Sequence, residues 1–149
     1  MNLLLEGIGD AFMGVNAGSS GPLWGTIFAG MADGIDDQQE LTEIEFKRMF
    51  AQTKEDFMDV SKAKVGDKTL VDAFYPAVSA IAETEGSIEA LLDAAAEAAK
   101  KGADATADMT AKFGRAKNVG ERTSAIKTRA LYPCNFLCRA CQRRKSIVL

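Results

Sequence analysis

Two adjacent hydroxyls framed by glycine, in Ala17-Gly18-Ser19-Ser20-Gly21-Pro22-Leu23-Trp24-Gly25-Thr26, are the residues of this chain best suited to holding an anion. Glycine lets the backbone turn tightly, and Pro22 stands where a helix takes its first residue, a position at which the missing N–H costs nothing. A turn that opens a helix aims several backbone N–H groups at one point, with the positive end of the helix dipole behind them. That is the chemistry of a phosphate site. The same residues also compose an ordinary surface turn. They do not make a Walker loop, because no Gly-Lys-Ser/Thr follows, nor a Rossmann turn, because no strand precedes them.

Two further stretches carry polar groups in glycine-punctuated turns. One is Gly66-Asp67-Lys68-Thr69-Leu70-Val71-Asp72, followed by Pro76; the other runs from Met109 through Gly114-Arg115-Ala116-Lys117-Asn118-Val119-Gly120-Glu121-Arg122. An arginine fork suits a phosphate, although Arg115 taken alone reads as a solvated charge past a helix end. Asp67-Lys68 taken alone reads as an exposed turn. A third constellation, Cys134-x-x-x-Cys138-x-x-Cys141, has the spacing of the iron–sulfur loop of radical S-adenosylmethionine enzymes. Such a loop needs a large domain after it, and eight residues follow Cys141. No cluster is therefore expected, and incidental zinc binding is the readier chemistry of these thiolates.

The elements that must position these residues are helical. Leu4, Ile8, Ala11 and Phe12 recur at helical spacing in a helix that ends near Gly14. A second helix is expected over 22–32, with Leu23, Ile27 and Met31 as its buried stripe and Gly25 and Gly30 admitting close neighbours. Thr42-Glu43-Ile44-Glu45 is a capping box opening a third helix, whose apolar face is Phe46, Met49, Phe50, Phe57 and Val60. Gly66-Asp67-Lys68 breaks the pattern, and Thr69 caps a fourth helix carrying Leu70, Phe74, Ala77 and Ile81, with Pro76 as a kink or a harmless gap. Ser87 caps a long alanine-rich fifth helix expected to reach about Lys112, with Gly102 a weak point in it. Short connections make neighbours antiparallel. The expected fold is an all-α, up-and-down antiparallel bundle or barrel.

Charge divides the chain in two. Residues 124–149 hold six basic side chains (Lys127, Arg129, Arg139, Arg143, Arg144, Lys145), no acidic one and all three cysteines. Residues 1–123 hold twelve basic and twenty-one acidic side chains, a net of −9. The expected organisation is a helical domain over 1–123 and an aberrant basic, cysteine-containing tail over 124–149. Arg143-Arg144-Lys145 lacks interleaved aromatics and a folded platform, so no nucleic-acid partner is expected. No apolar run is long enough for a membrane span, and no signal peptide opens the chain, so the expected location is the cytoplasm.

In order and separation, the Gly18-Ser19-Ser20 turn, the Gly66-Asp67-Lys68-Thr69 loop and the Gly114-Arg115-Ala116 segment resemble the nucleotide-binding (L) subunit of dihydroxyacetone kinase. The likeness runs from about Leu3 to Thr123. It implies a ring of eight antiparallel amphipathic helices that holds ADP or ATP in the loops at one end. It further implies that Gly18, Ser19 and Ser20 contact the phosphates and that Thr69 and Leu70 lie beside the adenine. Leu70 stands where the family often has Met. Arg115 matches the arginine that reaches the nucleotide. The activity implied is relay of a phosphoryl group from a histidine of a donor (M) subunit to dihydroxyacetone held by a K subunit. In such chemistry the protein supplies positioning and charge neutralisation.

The chain departs from that pattern at both ends. The family's Mg²⁺ centre is an Asp-rich Gly-Asp-x-Asp-His-Gly signature upstream of the glycine-serine turn; no match to it occurs here, and the chain has no histidine. The ring is accordingly expected to be incomplete, lacking its first two helices. After Gly120-Glu121-Arg122 the family continues with Gly-His-x-Asp-Pro-Gly-Ala, where this chain reads Ser124-Ala125-Ile126-Lys127-Thr128-Arg129-Ala130-Leu131. One of the degenerate codon sets for those residues, TCG-GCC-ATC-AAG-ACC-CGG-GCG-CT, encodes Gly-His-Gln-Asp-Pro-Gly-Ala when read two bases later, so the segment is compatible with a shifted frame. The expectation is a frameshift near Thr123, and with it a chain that binds nucleotide weakly and transfers nothing. The alternative is a non-catalytic helical remnant that docks on a partner.

Overall fold

A computed structural model describes residues 1–16, 18, 20–36, 38–114, 117 and 118. Ser19, Arg115 and the 124–149 tail lie outside the described residues. Among these residues the secondary structure is entirely helical: α1 (Asn2–Met13), α2 (Ser20–Asp33), α3 (Glu43–Val60), α4 (Val71–Glu83), α5 (Ile88–Ala105) and a short 3₁₀ turn, Thr106–Asp108. The all-α expectation holds. The chain divides into two units, Met1–Lys62 with α1 to α3, and a second beginning at Ala63 with α4 and α5.

In the first unit the helices pack in sequence order with antiparallel neighbours. A Cβ at Gly9 would lie 3.2 Å from the Gly25 carbonyl oxygen, and one at Gly21 would lie 2.8 Å from that of Phe12, so α1 descends as α2 rises. Farther along, a Cβ at Gly30 would come within 2.8 Å of the Thr53 Cα, and one at Gly34 within 2.6 Å of the Met49 Cα. Gly9, Gly21 and Gly30 thus let α2 approach both neighbours backbone to backbone, and Gly25 makes room for the Met13 side chain, so both glycines singled out in α2 admit a close neighbour. This shifts the buried face of α2. Trp24, Ile27 and Ala32 are buried, whereas Leu23 and Met31, expected in the stripe, are only half-buried. Phe12 stacks on Phe28 with ring centroids 5.5 Å apart, yet α1 leaves Leu3, Leu4 and Met13 exposed.

The start of α3 follows from its capping box. Thr42 Oγ1 accepts from the Glu45 N–H, and the Glu45 carboxylate accepts from the Thr42 N–H at 2.7 Å. Phe46, Met49 and Phe57 are buried as expected, and Val60 is exposed because the helix ends there. The unanticipated member of that face is Thr53, fully buried and tolerated because its hydroxyl donates to the Met49 carbonyl at 2.7 Å.

In the second unit Ser87 caps α5 by accepting from the Ala90 N–H. Leu91, Ala95, Ala99 and Ala103, one turn apart, form its buried edge. Fully burying a side chain the size of Leu91 or Ile81 contributes about 1.5–3 kcal/mol. Gly102 and Ala103, late in α5, meet Asp72 and Ala73, early in α4, so this pair is antiparallel as well. The fifth helix ends at Ala105, seven residues before the expected Lys112. Thr106 is buried there with its hydroxyl on the Ala103 carbonyl, and Met109 is extended. Helix-forming composition continues past Ala105, but the backbone is diverted to the loop that precedes α4.

Candidate functional site

The turn before α4 is built around one carboxylate. Asp72, 1% exposed, accepts from the Gly66 N–H through Oδ1 and from the Thr69 N–H through Oδ2, both at 2.6 Å. Thr69 Oγ1 in turn accepts from the Val71 N–H at 3.2 Å. The cap position of α4 is Leu70, which makes no side-chain cap bond. Thr69, expected as the cap, stands one residue before it with its hydroxyl on the first helical N–H, while Asp72 folds back over the turn in the manner of a capping-box acid. Gly66 takes a left-handed φ of 100°, and Lys68, which carries a side chain, also sits at a positive φ of 59°. A backbone held in that region by surrounding bonds is pre-shaped.

The expectation that Asp67-Lys68 is an exposed turn is overturned: the two residues are 7% and 5% exposed. Asp67 Oδ2 accepts from the Lys64 N–H at 2.8 Å, and Oδ1 pairs with Lys112 Nζ at 2.7 Å. The Lys112 N–H donates to the Asp67 carbonyl at 3.2 Å, and Lys68 Nζ donates to the Met109 carbonyl at 3.0 Å. The Lys112 ammonium and the Lys64 N–H together hold the Asp67 carboxyl below the usual carboxylate range. The loop over 66–69 and the segment over 109–112 are thereby brought together across some forty residues of chain.

Thr69 is half-buried at this junction and Leu70 is 3% exposed. In the first unit, Gly18 has a left-handed φ of 66° with open space where a Cβ would stand, and exposed Ser20 is the first residue of α2. Pro22 is the third residue of that helix, not the first, and its missing N–H still has no intrahelical partner to lose. A 14-residue helix opened by a glycine turn offers an anion its N-terminal amides.

Sequence reasoning assigned no role to Asp72 or Lys112. Thr69-x-x-Asp72 has the spacing of a cap and its reciprocal acid, so Asp72 was open to discovery; Lys112 carried no local signal. Among the described residues no group of three or more His, Cys, Asp or Glu side chains is arranged to hold a metal ion, and Asp33 and Asp36 are exposed. Among the same residues no helix is long and apolar enough to cross a membrane.

The family described as the DAK2 domain matches residues 1–127. The chain is 33% identical over 126 residues to the PEP-dependent dihydroxyacetone kinase, ADP-binding subunit DhaL, of Escherichia coli (strain K12), covering 83% of this chain and 60% of that protein. To the ADP-binding subunit DhaL of PEP-dependent dihydroxyacetone kinase 2 from Listeria innocua it is 31% identical over 121 residues, 80% of this chain and 56% of that one. To the L-erythrulose kinase of Pectobacterium atrosepticum it is 35% identical over 123 residues, 80% of this chain and 21% of the enzyme. The chain thus spans less than two thirds of each of these relatives.

Proposed function

The chain belongs to the DAK2 domain family, and from that premise we propose that it is an adenine-nucleotide-binding module of a dihydroxyacetone kinase. The observation that carries this reading is 33% identity, over most of the chain, to a subunit named for binding ADP. In the proposed site Gly18, Ser19 and Ser20 meet the phosphates and Arg115 supplies a guanidinium to them. Thr69 and Leu70 lie on the base side. The left-handed, unobstructed Gly18 and the helix opening at Ser20 support the first assignment. The turn that Asp72 holds in shape supports the second. Leu70 already spends its surface in the core, so a base resting on it requires that it give up part of that burial.

Within a complete kinase the module relays a phosphoryl group from a donor (M) subunit to dihydroxyacetone on a K subunit, in the cytoplasm. For these 149 residues by themselves the proposal is narrower: ADP is bound weakly and no phosphoryl group is transferred. The described residues offer no donor set that fits Mg²⁺. Isothermal calorimetry with ADP and Mg²⁺ tests the binding, with measurable heat expected. Turnover with purified K subunit and phosphoryl donor tests the rest; product above a blank overturns the proposed inactivity. A second reading, a helical interaction module without chemistry, draws on the exposed Leu3, Leu4 and Met13 of α1 and is what a silent calorimeter would favour.

We further propose that residues 124–149 are no part of this module. The family match stops at residue 127, just past the change in charge at Thr123, which is what a shifted reading frame would produce.

A further inference from the structure

Asp67, Lys68 and Lys112 have no assigned contact with nucleotide, yet they make most of the bonds between the 66–70 turn and the segment that runs into Arg115. Two of these bonds end on backbone carbonyls: the Lys112 N–H donates to that of Asp67 at 3.2 Å, and the Lys68 side-chain Nζ to that of Met109 at 3.0 Å. A third is the Asp67–Lys112 ion pair at 2.7 Å. The Lys112 side chain in this pair is 64% exposed and that of Asp67 10% exposed. Water screens an ion pair with so exposed a partner, and its contribution to folding is small. What the pair does well is fix a direction. Asp67 Oδ2 is already committed to the Lys64 N–H, so Oδ1 presents one defined point to which the 109–112 segment is drawn. Arg115 follows Lys112 by three residues.

We propose that Asp67 and Lys112 are positioning residues for nucleotide binding: their ion pair ties the base-side turn to the segment carrying Arg115 before the nucleotide arrives. The inference rests on the nucleotide reading given above. Tying two binding segments together in advance lowers the ordering cost that ADP would otherwise bear, and so raises affinity without adding a contact.

The test uses the full chain and ADP with Mg²⁺. Asp67→Asn and Lys112→Met should each weaken binding about tenfold, the double variant should bind no more weakly than either single one, and Lys112→Arg should stay within about threefold of the unmutated chain. Melting temperature should change little in Lys112→Met, so the affinity loss is separable from unfolding even if Asp67→Asn folds poorly. In hydrogen exchange without nucleotide, amides of 109–112 should lose protection in both single variants. Glu97→Gln, which breaks an exposed pair with Lys101, should bind ADP as the unmutated chain does. Undiminished affinity in both Asp67→Asn and Lys112→Met overturns the proposal and leaves the nucleotide reading standing. An unmutated chain that gives no heat with ADP overturns the reading itself, and the positioning role with it.

Discussion

Asp72 and Gly102 meet backbone to backbone: a Cβ built on Gly102 would overlap the Asp72 carbonyl oxygen and lie 3.2 Å from the Ala73 Cα. That carbonyl is the one to which Pro76 has no N–H to give. The proline in α4 and the glycine in α5 are therefore complementary features of one crossing. The carbonyl left without its helical bond turns its oxygen toward the Cα–H of Gly102, the kind of weak contact that recurs where helices pack closely. The glycine read as a weak point in α5 is what admits α4.

Gly102→Ala follows directly. In an isolated helix the change would stabilise by about 1 kcal/mol. Here the added methyl meets backbone, which cannot rotate aside, and overpacking of this sort costs about 1–3 kcal/mol or more. With the cost at the upper end of that range, because the methyl would overlap a backbone oxygen, the net expectation is destabilisation by about 2 kcal/mol, measured by urea unfolding. A stabilised Gly102→Ala chain would show that the crossing is looser than described.

The same Asp72 links that crossing to the turn before α4. Asp72→Asn keeps one acceptor oxygen but sets an amide NH₂ against one of the two N–H donors of Gly66 and Thr69. Leaving a buried donor unsatisfied costs about 1–3 kcal/mol. Reduced stability and faster exchange of the Gly66 and Thr69 amides are expected together. Under the proposed function ADP affinity falls as well, because Thr69 loses its fixed place.

Acid should expose the bonds of Asp67 and Glu45. Lys112 and the Lys64 N–H lower the folded value of Asp67, and the Thr42 backbone and hydroxyl lower that of Glu45. A carboxylate whose folded value is depressed binds protons more readily in the unfolded chain. Its stabilisation is complete above the unfolded value, near 4, and is lost as pH falls through the lower folded value. Stability should therefore drop between about pH 4 and the folded values below it. Asp67→Asn and Glu45→Gln should each flatten that decline, their stability at neutral pH being lower from the start. A decline unchanged in both variants would assign the acid sensitivity to other groups.

What was legible in the sequence divides by the reach of the bonds involved. Thr42 with Glu45, and Ser87 with Ala90, satisfy backbone groups three residues away, so residue types in a short window decide them. The periodic Phe46, Met49 and Phe57 face was readable for the same reason. The end of α5 was not. Locally, Thr106 only turns its hydroxyl back onto the Ala103 carbonyl, while Lys68 and Asp67, about forty residues earlier, bond Met109 and Lys112 outside the helix. On α2 the large residues Leu23 and Met31 suggested one stripe, but Gly21, Gly25 and Gly30 set how near the neighbours come and so which face is buried. In the candidate site, a helix opening just after Gly18 and a turn at Thr69 could be read from glycine, hydroxyl and proline, although α2 starts at Ser20, two residues before the Pro22 expected. The hidden part was Asp67 and Lys68, because an isolated Asp-Lys pair looks solvated until a distant partner covers it.

The proposed tail makes a separate demand. If residues 124–149 are foreign to the module, removing them leaves the urea midpoint unchanged and the ADP isotherm the same at high salt. The deletion also takes away six positive charges from a chain proposed to bind an anion. A nonspecific contribution from them would show as weaker binding than the full chain at low ionic strength, a difference that vanishes as salt screens it. Loss of affinity at every salt concentration would instead make the tail a working part of the site. The encoding DNA offers an independent check: read two bases later from Ser124, it should return Gly-His-x-Asp-Pro-Gly-Ala. A shifted frame with no such segment removes the frameshift, and the change in charge at Thr123 would then need another origin.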